Sequence, residues 1–177
     1  YEGIKELGEF KGYDVLFHDS EENIRKIYNK DIQKTIEASK GADYVIVVVG
    51  DNSMRYKWKD KTAGENMARA ELNLAGKQLD LVRSLKETND NVIVVYVNGK
   101  PISEPWIQVN IPSIIEAWEP GNLGGKAVAE VIFGDINPSG KLPLTIARSV
   151  GQLQMIYNHK PSQYFHKYAF EKNKPLY

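Results

Sequence analysis

Residues 43–52 read DYVIVVVGDN, and how this stretch is read decides the fold. Val45 to Val49 are all β-branched, a composition that stiffens the side chains against a helix and suits a pleated strand. The run does not alternate with polar residues, so it predicts a strand covered on both faces, as in parallel sheets flanked by helices. Gly50, Asp51 and Asn52 end it with turn chemistry. A second run of the same kind, VIVVYVNG at 92–99, follows AGKQLDLVRSLKETNDN at 75–91. There Leu79, Val82 and Leu85 recur at helical spacing until Asn89, Asp90 and Asn91 break the pattern. Strand, helix and strand in this order form a parallel unit with a crossover helix.

The pattern extends in both directions. Upstream, residues 21–40 repeat Ile24, Tyr28, Ile32 and Ile36 every four positions, which predicts a helix capped by Asp19 or Ser20. YDVLFH at 13–18 reads as a first strand. Downstream, PSIIEAW at 112–118 is a third buried strand, the Gly-rich EPGNLGG leads into a helix over KAVAEVIFG, and KLPLTI, marked by Pro143, is an edge element. The expected architecture is α/β, a three-layer α/β sandwich of flavodoxin-like type with a mostly parallel sheet over residues 1–151. Residues 152–177, with Tyr157, Tyr164, Phe165, Tyr168 and Phe170, read as an extended aromatic tail lying against something else.

Composition removes several function classes. The 177 residues contain no cysteine, so neither a disulfide framework nor a thiolate site is available. Basic and acidic residues balance at 23 each and are interleaved, which argues against a nucleic-acid surface. No apolar run approaches the roughly 20 residues that span a bilayer, and YEGIKELGEF lacks the order of a signal peptide. His18, His159 and His166 are scattered and give no zinc spacing. EPGNLGGKAVAEV has neither dinucleotide nor P-loop spacing and reads as a tight turn before a helix. Ser139 in NPSGKLP lacks the setting of a nucleophile elbow and reads as a turn residue.

Ligands of parallel α/β sheets bind at the carboxyl ends of the strands, and the loop after Gly50, about twenty residues long, is the longest of those connections. It contains TAGENMARAEL at 62–72, in which Glu65 follows a glycine and precedes Arg69 by four residues. A glutamate in a polar loop is compatible with simple solvation and with catalysis. Tyr56 and Trp58, among the lysines of MRYKWKDK, are compatible with a sugar-stacking wall and with a loop anchor.

Taken together, ADYVIVVVGDN, TAGENMARAELNLAGKQLDLV, VIVVYVNGKPI and IIEAWEPGNLGGKAVAEVIFGDINPSGKLPLT resemble the C-terminal α/β-sandwich domain of glycoside hydrolase family 3, the β-glucosidase and β-xylosidase family. SVGQLQMIYNHKPS and the terminal PLY add to the likeness, which runs from about Ala42 to the end. GENMAR resembles the family's Gly-Glu-x-x-Asp-Arg segment, with Ala68 in place of the common Asp and, further on, Ala75 in place of the common Pro.

The resemblance implies a retaining exo-acting β-glycosidase, β-glucosidase first and β-xylosidase second, that releases terminal sugars from an oligosaccharide or β-glycoside. An N-terminal barrel would supply the aspartate nucleophile, and this domain the general acid/base. Retention requires two carboxyls about 5 to 5.5 Å apart, one forming the glycosyl-enzyme and the other protonating the leaving oxygen and then deprotonating water. By its match to the family segment, Glu65 is the expected acid/base. Arg69, Trp58 and Tyr56 are the expected substrate-side residues, with Arg69 also suited to fixing the loop. No cofactor or metal is implied. The same likeness implies a periplasmic or secreted setting, and a piece of a larger enzyme lacking its barrel and the domain's first strand. A non-catalytic carbohydrate-binding or scaffolding domain is the alternative; a nucleotide module would follow from the fold alone, without a phosphate motif to support it.

Overall fold

The computed structural model describes residues 1–20, 23–53 and 58–152, with the backbone alone at Trp58. Tyr56 and the aromatic tail beyond Gln152 lie outside the described residues. Three strands, β1 (Val45–Gly50), β2 (Val92–Val97) and β3 (Ser113–Glu116), form a parallel sheet in the order β1-β2-β3. The register sets Val47 beside Val94 and Gly50 beside Val97 in one pair, and Val94 beside Ile114 and Tyr96 beside Glu116 in the other. All three carboxyl ends therefore reach the same edge.

Three helices carry the apolar stripes that the sheet requires. From α2 (Asn29–Ala38), Ile32 joins the core; from α3 (Gln78–Thr88), Leu81, Val82 and Leu85; from α4 (Pro105–Asn110), Ile107. They form one cluster with Val47, Val49, Val94 and Tyr96. Loss of Val82, Val94 or Ile107, each fully buried, would open a cavity. Gln78, 3 % exposed at the start of α3, fixes that helix to the end of β1. Its Oε1 accepts from Gly50 N at 2.9 Å, and its Nε2 donates to Gly50 O at 2.8 Å and to Ala75 O at 3.0 Å. One side-chain amide thus satisfies a strand-end peptide in place of a neighbouring strand.

The chain is the expected α/β sandwich, with corrections at four places. Residues 13–18 form no strand: among the described residues they find no ladder partner, and Tyr13, Leu16 and Phe17 stay exposed. KLPLTI likewise makes no ladder. Ile146 and Ala147 of the same region are nonetheless buried, held where Ser103 Oγ donates to Arg148 O at 2.8 Å. The helix expected over 21–40 begins only at Asn29, because Tyr28 is extended at φ −110° and ψ 166°, and Asp31 turns back to accept the Tyr28 N–H at 3.0 Å. Ile24–Lys26 is a separate 3-10 turn capped by Asn23, so neither Asp19 nor Ser20 caps the helix. β1 is covered on one face only at Val48, which is 56 % exposed, whereas in β2 both Val94 and Val95 are buried.

Two helices carry no strong sequence signal. α1 (Glu2–Phe10) contains two glycines, which lower its intrinsic propensity, and packs on α5 (Gly124–Ile132). A Cβ at Gly3 would lie 2.5 Å from the Gly125 carbonyl, so the close approach of the two backbones requires glycine there. α4 is six residues long, too short for periodicity, and starts with Pro105 in its first turn.

Candidate functional site

The carboxyl ends of β1 and β2 meet at Asp51, whose side chain is fully buried. Its Oδ1 lies 3.2 Å from Arg69 Nη1 and accepts from Thr62 Oγ1 at 3.1 Å; its Oδ2 lies 2.9 Å from Lys100 Nζ. One carboxylate thereby joins the beginning of the long loop, its far end and the exit of β2. A buried charge is tolerable only when so paired, since desolvation costs several kcal/mol per ion, as an order of magnitude. Thr62 also accepts from Asn52 N at 2.8 Å, and Thr62 N donates to Asn52 O at 2.8 Å. Arg69 Nη2 continues to Asn73 O at 3.0 Å and Asn73 Oδ1 at 3.1 Å.

Between these ties the loop turns outward. Gly64 has φ 90° and Asn66 φ 59°, left-handed values that glycine and asparagine tolerate best. Met67 N donates to Gly64 O at 3.0 Å and closes the turn. Glu65 sits at its tip and is exposed. Beneath it Lys61, 1 % exposed, donates from Nζ to Glu65 O at 2.6 Å.

Two further carboxyls line the same edge. Glu104, 4 % exposed, accepts from Leu74 N at 2.8 Å. Burial raises its pKa, opposed by that N–H and by the charges of Arg83, Arg69 and Lys100. Glu116, at the end of β3, is pushed up to about 7 by burial, opposed by hydrogen bonds from Trp118 N and the Asn98 side chain. Nearby, Ser53 Oγ donates to Glu119. Among the described residues no group of three or more His, Asp or Glu is placed to hold a metal ion.

The structure therefore places Glu65 and Arg69 in one loop but gives them different surroundings. Glu65 faces outward, while the Arg69 guanidinium is engaged by Asp51 and Asn73. Trp58 opens a 3-10 turn, Trp58–Asp60, that leads into Lys61. Sequence reasoning singled out neither Lys61 nor Lys100, and it took Asp51 merely as part of the turn that ends the strand. The available signal was position: an Asp directly after a buried parallel strand lies at the ligand edge.

Residues 1–177 match the family model described as the glycosyl hydrolase family 3 C-terminal domain. The chain is 42 % identical over 147 residues to a beta-xylosidase of Formosa agariphila, covering 81 % of this chain and 19 % of that protein. It is 36 % identical over 156 residues to a periplasmic beta-glucosidase of Salmonella typhimurium, covering 82 % and 20 %. Among solved structures, a β-glucosidase from Erythrobacter marinus superposes with a TM-score of 0.81 at 28 % identity, over 99 % of this chain and 26 % of that one. A family 3 β-glucosidase of Bifidobacterium adolescentis gives 0.67 at 28 % identity, over 84 % and 21 %. The chain thus spans about a fifth of the length of the curated relatives it matches.

Proposed function

The chain belongs to the glycosyl hydrolase family 3 C-terminal domain family, and from that premise we propose that it is the acid/base half of a retaining, exo-acting β-glycosidase active site. Glu65 is the acid/base, and the nucleophilic aspartate resides on a barrel domain of the same enzyme. The substrate is the terminal non-reducing sugar of a β-glycoside, with glucose ahead of xylose.

The observation that supports this best is the disposition of Glu65. Its turn is closed by its own hydrogen bond, tied from below by Lys61 and anchored behind by the Asp51 and Arg69 pair, yet its side chain is exposed. That suits a group offered to a surface other than its own domain. A second carboxyl on that surface, about 5 to 5.5 Å away, would complete the pair that retention needs. Glu65 would first protonate the leaving oxygen and then take a proton from the water that opens the glycosyl-enzyme. Arg69 would hold the loop, while Trp58 and Tyr56, earlier in the same connection, would border the sugar. The name of the Salmonella relative supports a periplasmic setting.

The test uses the barrel-containing enzyme and its Glu65→Ala variant. Hydrolysis of an unactivated disaccharide should fall by about two to four orders of magnitude. An activated aryl glycoside should keep its first step, with turnover restored by azide as the glycosyl azide. If both substrates lose little, Glu65 is not the acid/base.

A further inference from the structure

A lysine is almost never fully buried unless its ammonium has partners. Lys61 is one of the largest fully buried side chains of this molecule, yet it lies beneath three exposed residues, Gly64, Glu65 and Asn66. Its stem runs under Gly64, where a Cβ would come within 3.3 Å of Lys61 Cε at a φ that already disfavours any other residue. Its ammonium ends 2.6 Å from the carbonyl oxygen of Glu65 itself. The glycine, the lysine and the glutamate are thus one device, spaced so that the charge of residue 61 reaches the peptide of residue 65.

We infer that Lys61 is a positioning residue for Glu65. It rests on the acid/base reading above, and it assigns to Lys61 no contact with substrate. The ammonium fixes the Glu65 carbonyl by a charge-assisted hydrogen bond, roughly twice as strong as a neutral one. Thr62, next in sequence, is held to Asn52 and Asp51, so Lys61 has a rigid base. The far end of the turn is held separately by Arg69 on Asp51. Without the lysine, the Glu65 peptide loses its tie from below, and a shift of about 1 Å in a catalytic group can cost on the order of 100-fold in rate.

Lys61→Met keeps the apolar stem and removes the ammonium, and Gly64→Ala keeps the ammonium but sets a methyl group against its stem. In the 177-residue chain, hydrogen exchange at the Met67 amide, which closes the turn, should quicken about tenfold in both variants, with Val94 in the core unchanged. In the barrel-containing enzyme, kcat on an unactivated disaccharide should fall about tenfold or more at nearly constant KM, with a much smaller loss on an activated aryl glycoside. Unchanged Met67 exchange in both variants, or equal losses on the two substrates, overturns the assignment. If Glu65→Ala spares the disaccharide while Met67 exchange still responds to Lys61→Met, the acid/base reading fails and the anchor itself stands.

Discussion

At the scale of single residues, the site's edge is a set of carboxyls in unlike surroundings. Glu65 is exposed, Asp51 is buried between two cations, and Glu116 is half-buried and held by hydrogen bonds. Glu116 makes the difference measurable. Its pKa in the folded chain is about 7 against an ordinary 4.5, so between these values the unfolded chain releases a proton that the folded chain keeps. The unfolded state then binds fewer protons, and stability falls as pH rises. The contribution is fully present below about 4.5 and gone above about 7. Glu116→Gln cannot ionise and escapes that loss. The melting temperature of the variant minus that of the wild type should therefore climb from about pH 5 to about pH 8. A difference that stays flat or descends over that range removes burial as the cause. None of this was legible in the sequence, where Glu116 is one residue of the strand read over PSIIEAW. Its surroundings come from Asn98 and Trp118, which the fold alone brings to it.

At the scale of elements, strands were easier to read than helices, and buried strands easier than edges. β1 and β2 announce themselves by β-branched runs, and α3 by its apolar stripe. α1 and α4 do not, since glycine content hides one and brevity the other. The strands expected at 13–18 and 141–146 show the limit of composition: a strand is a pairing, and no described neighbour offers these segments a ladder. The long loop could be read as a candidate ligand-facing connection, but its anchorage could not. Asp51 tethers both ends of it to the exit of β2, and Asp51→Ala should show what that is worth. The change leaves Arg69 and Lys100, both mostly buried, without their anion. Breaking a buried pair from one side costs about 3–5 kcal/mol. Denaturant unfolding of the chain should lose stability in that range at an unchanged m-value. A loss below about 0.5 kcal/mol, the usual range for surface changes, would instead mean that the cations re-pair or hydrate without strain.

At the scale of the whole molecule, the proposed reading gives the domain one half of a reaction. A retaining glycosidase needs a nucleophile that forms the glycosyl-enzyme and an acid that frees the leaving group; neither step proceeds well without the other carboxyl at the right distance. Glu65 is set on an outward turn. Burial raises the pKa of Glu104 and Glu116, but Glu104 is 4 % exposed and accepts a backbone N–H, while Glu116 accepts hydrogen bonds at the end of β3. Both are engaged in holding the edge together. The family was legible from AWEPGNLGGKAVAEVIFGDINPSGKLP and GENMAR, and the division of chemistry between two domains came only as what that resemblance implies, because spacing within one chain carries no information about a surface that closes over it. The pure 177-residue chain should accordingly show no hydrolysis of an aryl β-glucoside above the uncatalysed rate, even though it carries the proposed acid. The measurement is release of the chromophore at high protein concentration, with Glu65→Gln as the control for contaminating enzyme. Turnover by the wild-type chain that disappears in Glu65→Gln would place a nucleophile within these residues, and the two-domain division would have to be abandoned.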